Sequence, residues 1–488
     1  MLLKGEFGMQ QQAKRFQLKR ERKQKRAAKL KAGLLLATAL ITLMTGCSSG
    51  NNNQSNNSAD ANSSNTAAAD DAGNAATSDN SGKSSSESTT NDSGSSSNSN
   101  SSKSDSSSDS ASDSKSDSTA SPDKPAADDT GSKDAHDDSS NSQYDSSQPG
   151  QLTAGEWDDL GEWKKWKKLL QGNEGADNES YWSMFPENRL EVIVTGGGKP
   201  VPDADVSIVD EDGETVWEAR TNMDGEAYAF AGLFDEQGTR DTYGVVVESG
   251  NSEKRYENVP IPRDSALKIE LNETAKIPTA LDLMLVVDTT GSMEDELNYL
   301  KTELKDVVER VGQDNGQQLD IRVSANFYRD KNDLYVVRDF PFTGDIDEVV
   351  KQLGQQKAAG GGDFPEAVDQ ALENAINEHK WSNDARARLL FLVMDAPPHH
   401  DRKVTKHMHE LIEAAAAEGI RIIPVASSGV DVGTEYLMRF IAAATGGTYL
   451  FLTDHSGIGN GHLKPAVGEF EVKALNELLV DVINRYTS

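Results

Sequence analysis

The sequence predicts a doubly wound α/β domain over residues 279–487, an all-β sandwich before it over 189–273, and a long disordered tether before both. Three observations carry that prediction. After Ala280, near-continuous apolar runs alternate with stretches whose apolar residues recur every three or four positions. From Leu190 the apolar period is two, as short strands require. Ser48 to Gly150 is almost wholly Ser, Asn, Asp, Ala, Thr and Gly, with no apolar period at all.

Residues 1–46 hold 11 basic and 2 acidic side chains, and the cations give way to the short apolar run AGLLLATALITLMTG. That is the layout of a secretory signal peptide, because the run falls short of the roughly 20 apolar residues of a membrane-spanning helix. It stops at Cys47, the only cysteine, so no disulfide framework exists. The stretch LMTGC resembles a bacterial lipobox. The resemblance implies that Cys47 is acylated, begins the mature chain and anchors it to the outer face of the cell membrane.

Residues 47–150 carry 5 basic and 17 acidic side chains, as in NSNSSKSDSSSDSASDSKSDSTASPDKP, and too few apolar groups to repay ordering. Such a tether has a root-mean-square reach on the order of 50 to 60 Å. Of the formal net charge of -31, residues 151–488 account for -28. A body that acidic repels phosphate backbones, so nucleic acid is not an expected partner.

Within 151–188, Trp163, Trp166, Leu169 and Leu170 fall at helical spacing, which predicts a short tryptophan-rich helical linker packed on a neighbour. From Leu190, Val192 and Val194 alternate with more polar residues, as do Ala204, Val206 and Ile208. Asp212-Gly213 and Asp224-Gly225 read as tight hairpin turns, and YGVVVE and ALKIEL complete the strands. GKPVPDADVSIVDEDG with TNMDGEAYAF resembles the carboxypeptidase regulatory-like domains that serve as spacers in secreted proteins.

The α/β segment opens with LDLMLVVD, a strand buried on both faces, and continues into a helix along Met293, Leu297, Leu300, Leu304, Val307 and Val311. LDIRVSANFY and LYVVRDF read as strands, followed by helices over 346–355 and 364–378. RLLFLVMD, a helix over 403–418, IRIIPVA, a helix over 433–444, GTYLFL and a last helix near 471–486 complete the cycle. In such sheets ligands collect at the carboxyl ends of the strands, and VVD and VMD each deliver an aspartate there.

Asp288, Thr290 and Ser292 occupy successive outward positions of one strand-to-helix turn. Hard oxygens at that density suit Mg²⁺, or Mn²⁺ or Ca²⁺ in its place. The plain alternative is a capped turn with no ligand. His399, His400, Asp401, His407 and His409 also lie close in sequence, but HELIE lacks the second histidine of a metalloprotease motif.

Asp-x-Thr-Gly-Ser at 288–292, Gly-Gly-Gly-Asp-x-Pro-Glu at 360–366 and strand-Asp-Ala-Pro-Pro-His ending at 399 together resemble the von Willebrand factor type A domain. The resemblance implies a metal-ion-dependent adhesion site, with Asp288, Thr290 and Ser292 in the first loop and Asp395 at the end of the fourth strand. The usual threonine of the second loop is absent, and Asp363 is the nearest oxygen, as a ligand, through water, or as the cap of the following helix. The implied function is a non-enzymatic module on a bacterial surface, presenting the ion to a carboxylate of an extracellular or envelope protein. A scaffold in which the ion only staples loops is the alternative, ahead of a hydrolase.

Overall fold

The tryptophan-rich stretch opens with a strand, β1 (Thr153–Trp157), before its helices α1 (Trp163–Leu170) and α2 (Asn173–Trp182). β1 runs antiparallel beside the strand Tyr449–Leu452 of the large sheet, with Ala154 opposite Leu452 and Trp157 opposite Tyr449. The segment is thus part of the α/β domain, not a linker. Gly155 hides this in the sequence: a Cβ there would lie 2.6 Å from the Phe451 ring, so the strand has no side chain where that aromatic crosses it.

In the computed structural model the described residues are 149–488, without 236–238, 273–275, 315–317 and 460. The signal peptide, Cys47 and all but the last two residues of the tether expected at 47–150 lie outside the described residues. No described helix is long and apolar enough to cross a membrane.

Eight short strands follow: β2 (Arg189–Gly196), β3 (Lys199–Pro200), β4 (Asp205–Val209), β5 (Thr215–Arg220), β6 (Glu226–Phe230), β7 (Thr242–Ser249), β8 (Ser252–Pro260) and β9 (Leu267–Leu271). They form two sheets, β3-β2-β6 with β9 on β2, and β5-β4-β7-β8. Leu190, Val192 and Val194 from one sheet and Val206, Ile208, Val245 and Val247 from the other are fully buried in one shared core. Period-two alternation produces that burial directly. At the second hairpin Gly225 has φ +74°, and a Cβ there would fall 2.3 Å from the Val194 carbonyl oxygen, so only glycine fits.

The large sheet is built from β10 (Ala280–Asp288), β11 (Asp320–Tyr328), β12 (Val337–Arg338), β13 (Ala387–Met394), β14 (Ile420–Ala426), β15 (Tyr449–Leu452) and β16 (Lys473–Ala474). Its order is β12-β11-β10-β13-β14-β15-β1-β16, parallel from β11 to β15 and antiparallel at both margins. Helices α3 (Glu294–Asp314), α4 (Ile346–Gly354) and α8 (Leu475–Thr487) lie against one face, and α5 (Val368–Glu373), α6 (Arg402–Glu418) and α7 (Val432–Thr445) against the other. The stripe Leu297, Leu300, Leu304, Val307 and Val311 is buried, as its spacing requires.

Two expected elements differ. LYVVRDF gives only the two-residue β12, which folds back on Phe327 and Tyr328. The helix expected from 364 starts at Val368 and ends in a π turn at Asn374–Glu378. Phe364 precedes a proline, which disfavours helical backbone, and the Glu366 N–H is spent on the Pro397 carbonyl at 2.9 Å.

Two buried arginines fasten the additions to the α/β core. Arg388, at the start of β13, donates to both oxygens of Asp203 at 2.9 and 3.1 Å, holding the small sheets at the amino ends of the parallel strands. Arg439 on α7 donates to both oxygens of Asp159 at 2.8 and 2.7 Å and to Glu435 at 3.0 Å, with its guanidinium 4.3 Å from the Trp166 ring centroid. Removing one partner of such a pair strands a buried charge. Asp159→Ala is therefore expected to lower the stability of the protein by about 3 to 5 kcal/mol, read from the urea midpoint at unchanged slope. Glu162→Ala, in an exposed pair nearby, should stay within about 0.5 kcal/mol of the parent.

Candidate metal centre

The register of the sheet places the site. Val287 lies opposite Val393 across the parallel pair, so Asp288 and Asp395 leave neighbouring strands at the same end, where the chain's direction of travel through the sheet reverses. Asp288 is completely buried. Its Oδ1 accepts the Thr290 N–H and the Thr290 hydroxyl, both at 2.8 Å. That hydroxyl stands 3.3 Å from the Ser292 hydroxyl, and Ser292 in turn donates to Asp395. Thr289, between them, points the other way: its hydroxyl donates to the Tyr328 carbonyl at 2.9 Å and lies 2.7 Å from the Tyr335 hydroxyl. Two of the three hydroxyls thus face the site, and the third ties the loop down.

Asp288 Oδ2 and Asp395 Oδ1 are buried and have no hydrogen-bond partner. Burial, and then the Asp395 charge, raise the Asp288 carboxyl above the usual carboxylate range. Burial likewise raises Asp395, against the opposing hydrogen bond from Ser292.

The glycine-rich loop folds over this pair. The Gly291 N–H donates to the Gly360 carbonyl at 3.2 Å, and the Ala359 N–H to the Thr289 carbonyl at 3.0 Å. Gly360 and Gly361 have φ of +87° and +74°, which lets the Gly361 N–H reach Asp333 Oδ2 at 2.9 Å. Asp363 is exposed, and the helix after it begins four residues too late for it to be a cap.

The carboxylate that the loop does bury is Glu366, 3% exposed, with Oε2 unpartnered. A Cβ on Gly361 would lie 3.1 Å from Glu366 Oε1 and 3.4 Å from Thr290 Cβ, so both side chains approach the face of the loop where the glycine has none. Burial first, and then the charges of Asp288, Asp330, Asp395 and Asp333, push the Glu366 carboxyl up to about 9.

A second carboxylate hidden from sequence reasoning is Glu296, fully buried in the first turn of α3. Its Oε1 accepts the Ser428 N–H at 3.2 Å and the Ser428 hydroxyl, while Oε2 has no partner. A signal for it exists: Glu296 falls three after Met293 and four before Leu300, on the apolar stripe, where a solvated glutamate has no place.

The histidines do not converge. His399 pairs with Asp330 at 2.6 Å, His400 stacks on Tyr181, His407 bridges Asp369 and Glu373 at 3.2 Å each, and His409 meets the Trp182 carbonyl at 2.9 Å. Among the described residues no three His, Cys, Asp or Glu side chains are placed to hold an ion by themselves. An ion above Asp288 would therefore rely on the hydroxyls as well, and the orphaned carboxylate oxygens beside Thr290 and Ser292 form a donor set that fits a hard cation.

Residues 282–454 match the family model for the von Willebrand factor A domain. The matched span runs from β10 to just past β15, so it contains Asp288, Glu366 and Asp395, while β1, the two small sheets and α8 lie outside it. The chain is 27% identical to an ariadne-like RING finger protein of Acanthamoeba polyphaga mimivirus, over 35% of this chain and 18% of that protein. It is 22% identical to the alpha-protein kinase vwkA of Dictyostelium discoideum, over 50% of this chain and 40% of the kinase. The chain spans less than half the length of either relative.

Without a divalent ion, burial and the neighbouring carboxylates favour the protonated form of Glu366. The unfolded chain releases that proton near pH 4.5 and the folded protein only near 9, so the stability it contributes is complete at acid pH and is lost as pH rises through that window. In chelator, Glu366→Gln should remove ~1 kcal/mol per pH unit from the decline in unfolding free energy between about pH 5.5 and 8. Urea titrations at several pH values measure this, and identical slopes for parent and variant would show Glu366 already ionised in the fold.

Proposed function

We propose that this chain is a cell-surface binding module whose von Willebrand factor A domain uses a divalent cation to hold a protein partner. The observation that carries it is the pair of unpartnered oxygens on Asp288 and Asp395, framed by the Thr290 and Ser292 hydroxyls at the carboxyl end of the sheet. Mg²⁺ suits this donor set, with Mn²⁺ or Ca²⁺ as substitutes. When bound, the ion supplies a Lewis-acidic position that an oxygen of the partner completes.

The chain's own residues do the rest. Asp288 and Asp395 offset the ion's charge. The Asp288 Oδ1 contacts orient Thr290, and the Gly291–Gly360 bond sets the glycine loop beside it. The groups at the site are acids and hydroxyls, which suit a cation better than a phosphoester, so the module holds its partner and breaks no bond in it. The family match supports a protein as that partner. A scaffold in which the ion staples the loops is less favoured, because three backbone bonds already join them: Gly291 to Gly360, Ala359 to Thr289 and Glu366 to Pro397.

Upstream, the lipobox-like LMTGC supports acylation of Cys47 and a position outside the cell membrane, with residues 47–150 as the tether. The small sheets, docked at the end of the sheet away from the site, suit a carboxypeptidase regulatory-like spacer.

Calorimetric titration of the purified protein with Mg²⁺ and with Mn²⁺ tests the cation: binding is expected for the parent and absent for Asp288→Ala. A parent that binds neither ion would sink the proposal. In a bacterial host the parent should partition with membranes, and Cys47→Ser should appear in the soluble fraction. Equal distribution of the two would argue against the lipid anchor.

A further inference from the structure

Resting on the lipid-anchor reading, we infer that the lysine face of α1 docks the folded body on the anionic surface of the membrane to which the chain is tethered. Helix α1 reads WKKWKKLL, four basic and no acidic residues in a body whose net charge is -28. Lys164 and Lys168 are four apart and so share one face, with Lys165 and Lys167 on either side of them. Lys164, Lys165 and Lys168 are exposed, and Lys167 is half-buried. The opposite face is already spent: Trp166 and Leu170 are buried, and the Trp166 ring lies 5.9 and 5.4 Å from the rings of Tyr436 and Phe440 on α7. The lysines therefore lie on the α7 flank of the α/β domain, not at the strand ends that carry Asp288 and Asp395.

The acids around this face are committed elsewhere. Glu162 pairs with Lys165 at 3.1 Å, Asp159 is held by Arg439, and Glu174 accepts from the Tyr436 hydroxyl at 3.4 Å. Among the described residues Lys164, Lys167 and Lys168 form no ion pair. Lys167 and Lys168 sit in the last turn of α1, where the helix dipole favours a cation, but Lys164 in the first turn runs against that preference.

The chain outside the described residues points to the occupant. The tether expected at 47–150 ends just before β1, one strand ahead of α1, and holds the body near the anchoring membrane at an effective concentration on the order of mM. At about fivefold per lysine near an anionic surface, three unpaired lysines favour that surface on the order of 100-fold. The net charge of the body opposes the contact only at long range. Screening at physiological ionic strength acts over about 8 Å, shorter than the roughly 12 Å length of α1, so the local face outweighs the distant acids. Because the apolar side of α1 is buried in protein, the contact is electrostatic and inserts nothing into the lipid.

Lysine acetylation read by mass spectrometry tests this on the acylated chain, taken from bacterial membranes and reconstituted in vesicles of phosphatidylcholine alone or of phosphatidylcholine with phosphatidylglycerol. At physiological salt Lys164, Lys167 and Lys168 should react about fivefold or more slowly on the anionic vesicles than on the neutral ones. Lys351, exposed on α4 at the opposite face of the sheet, should react alike on both. Lys164→Gln combined with Lys168→Gln should lower the docking constant about 25-fold and speed the reaction of Lys167 on the anionic vesicles. Equal rates on the two vesicles would overturn the docking: if both are fast the face is solvated, and if both are slow the chain itself covers it. A chain that floats with neither vesicle refutes the lipid anchor and, through it, this docking.

Discussion

The parallel pairing of β10 with β13 is the constraint on which the rest turns. Once Val287 sits opposite Val393, two strands that each end in aspartate must deliver their carboxylates side by side, in a position that the covering loops close to water. Like charges so placed are unfavourable, and burial worsens it. The first loop answers in part, with an N–H and two hydroxyls, but one oxygen on each aspartate is left over. Glu366 and Glu296 then each bring a further unpartnered oxygen to the same end. Buried polar atoms are ordinarily satisfied, so such a concentration of orphans in one place is a strain, one that the proposed cation would relieve.

That strain is tolerated because the fastening of the molecule lies elsewhere. Arg388 and Asp203 act at the amino ends of the strands, and Arg439 with Asp159 acts along α7. Both are bidentate pairs with the carboxylate matched to the guanidinium, the geometry in which a buried ion pair recovers its desolvation cost. The two ends of the sheet thus divide the work: paired charges lock the additions at one end and along one flank, and unpaired carboxylates gather at the other.

Much of this was legible in the sequence, and the limits are instructive. Period and run length located the parallel strands and their helices, because burial on one or both faces dictates both. Asp288, Thr290, Ser292 and Asp395 were legible because strand-end residues have positions fixed by the strand itself. β1 was not, since the helical spacing of Trp163, Trp166, Leu169 and Leu170 gave a helix but no strand before it, and its partner Tyr449–Leu452 lies almost 300 residues away. The second loop misled for a local reason. The exposed Asp363 stood where a cap was expected, but Pro365 delays the helix, and the extended Phe364–Ala367 segment carries Glu366 inward instead.

Helix α3 shows how the same kind of residue serves two segments at one end of the domain. Glu296 and Glu303 are seven apart, two turns of helix, and both sit on the face that Met293, Leu300 and Val307 bury. Glutamates on an apolar stripe are stable only if something distant comes to satisfy them. Glu303 accepts the Gly150 N–H at 2.8 and 2.9 Å, fixing the point where the chain enters β1. Glu296 accepts from Ser428, fixing the loop after β14 beside Asp395. Because β1 is antiparallel to β15, its first residue lies at the carboxyl end of the parallel strands, with the Thr453 N–H donating to the Thr153 carbonyl at 2.9 Å. The entry of the chain and the candidate metal centre therefore share one end of the sheet, joined by a single helix whose two misplaced carboxylates are what connect them.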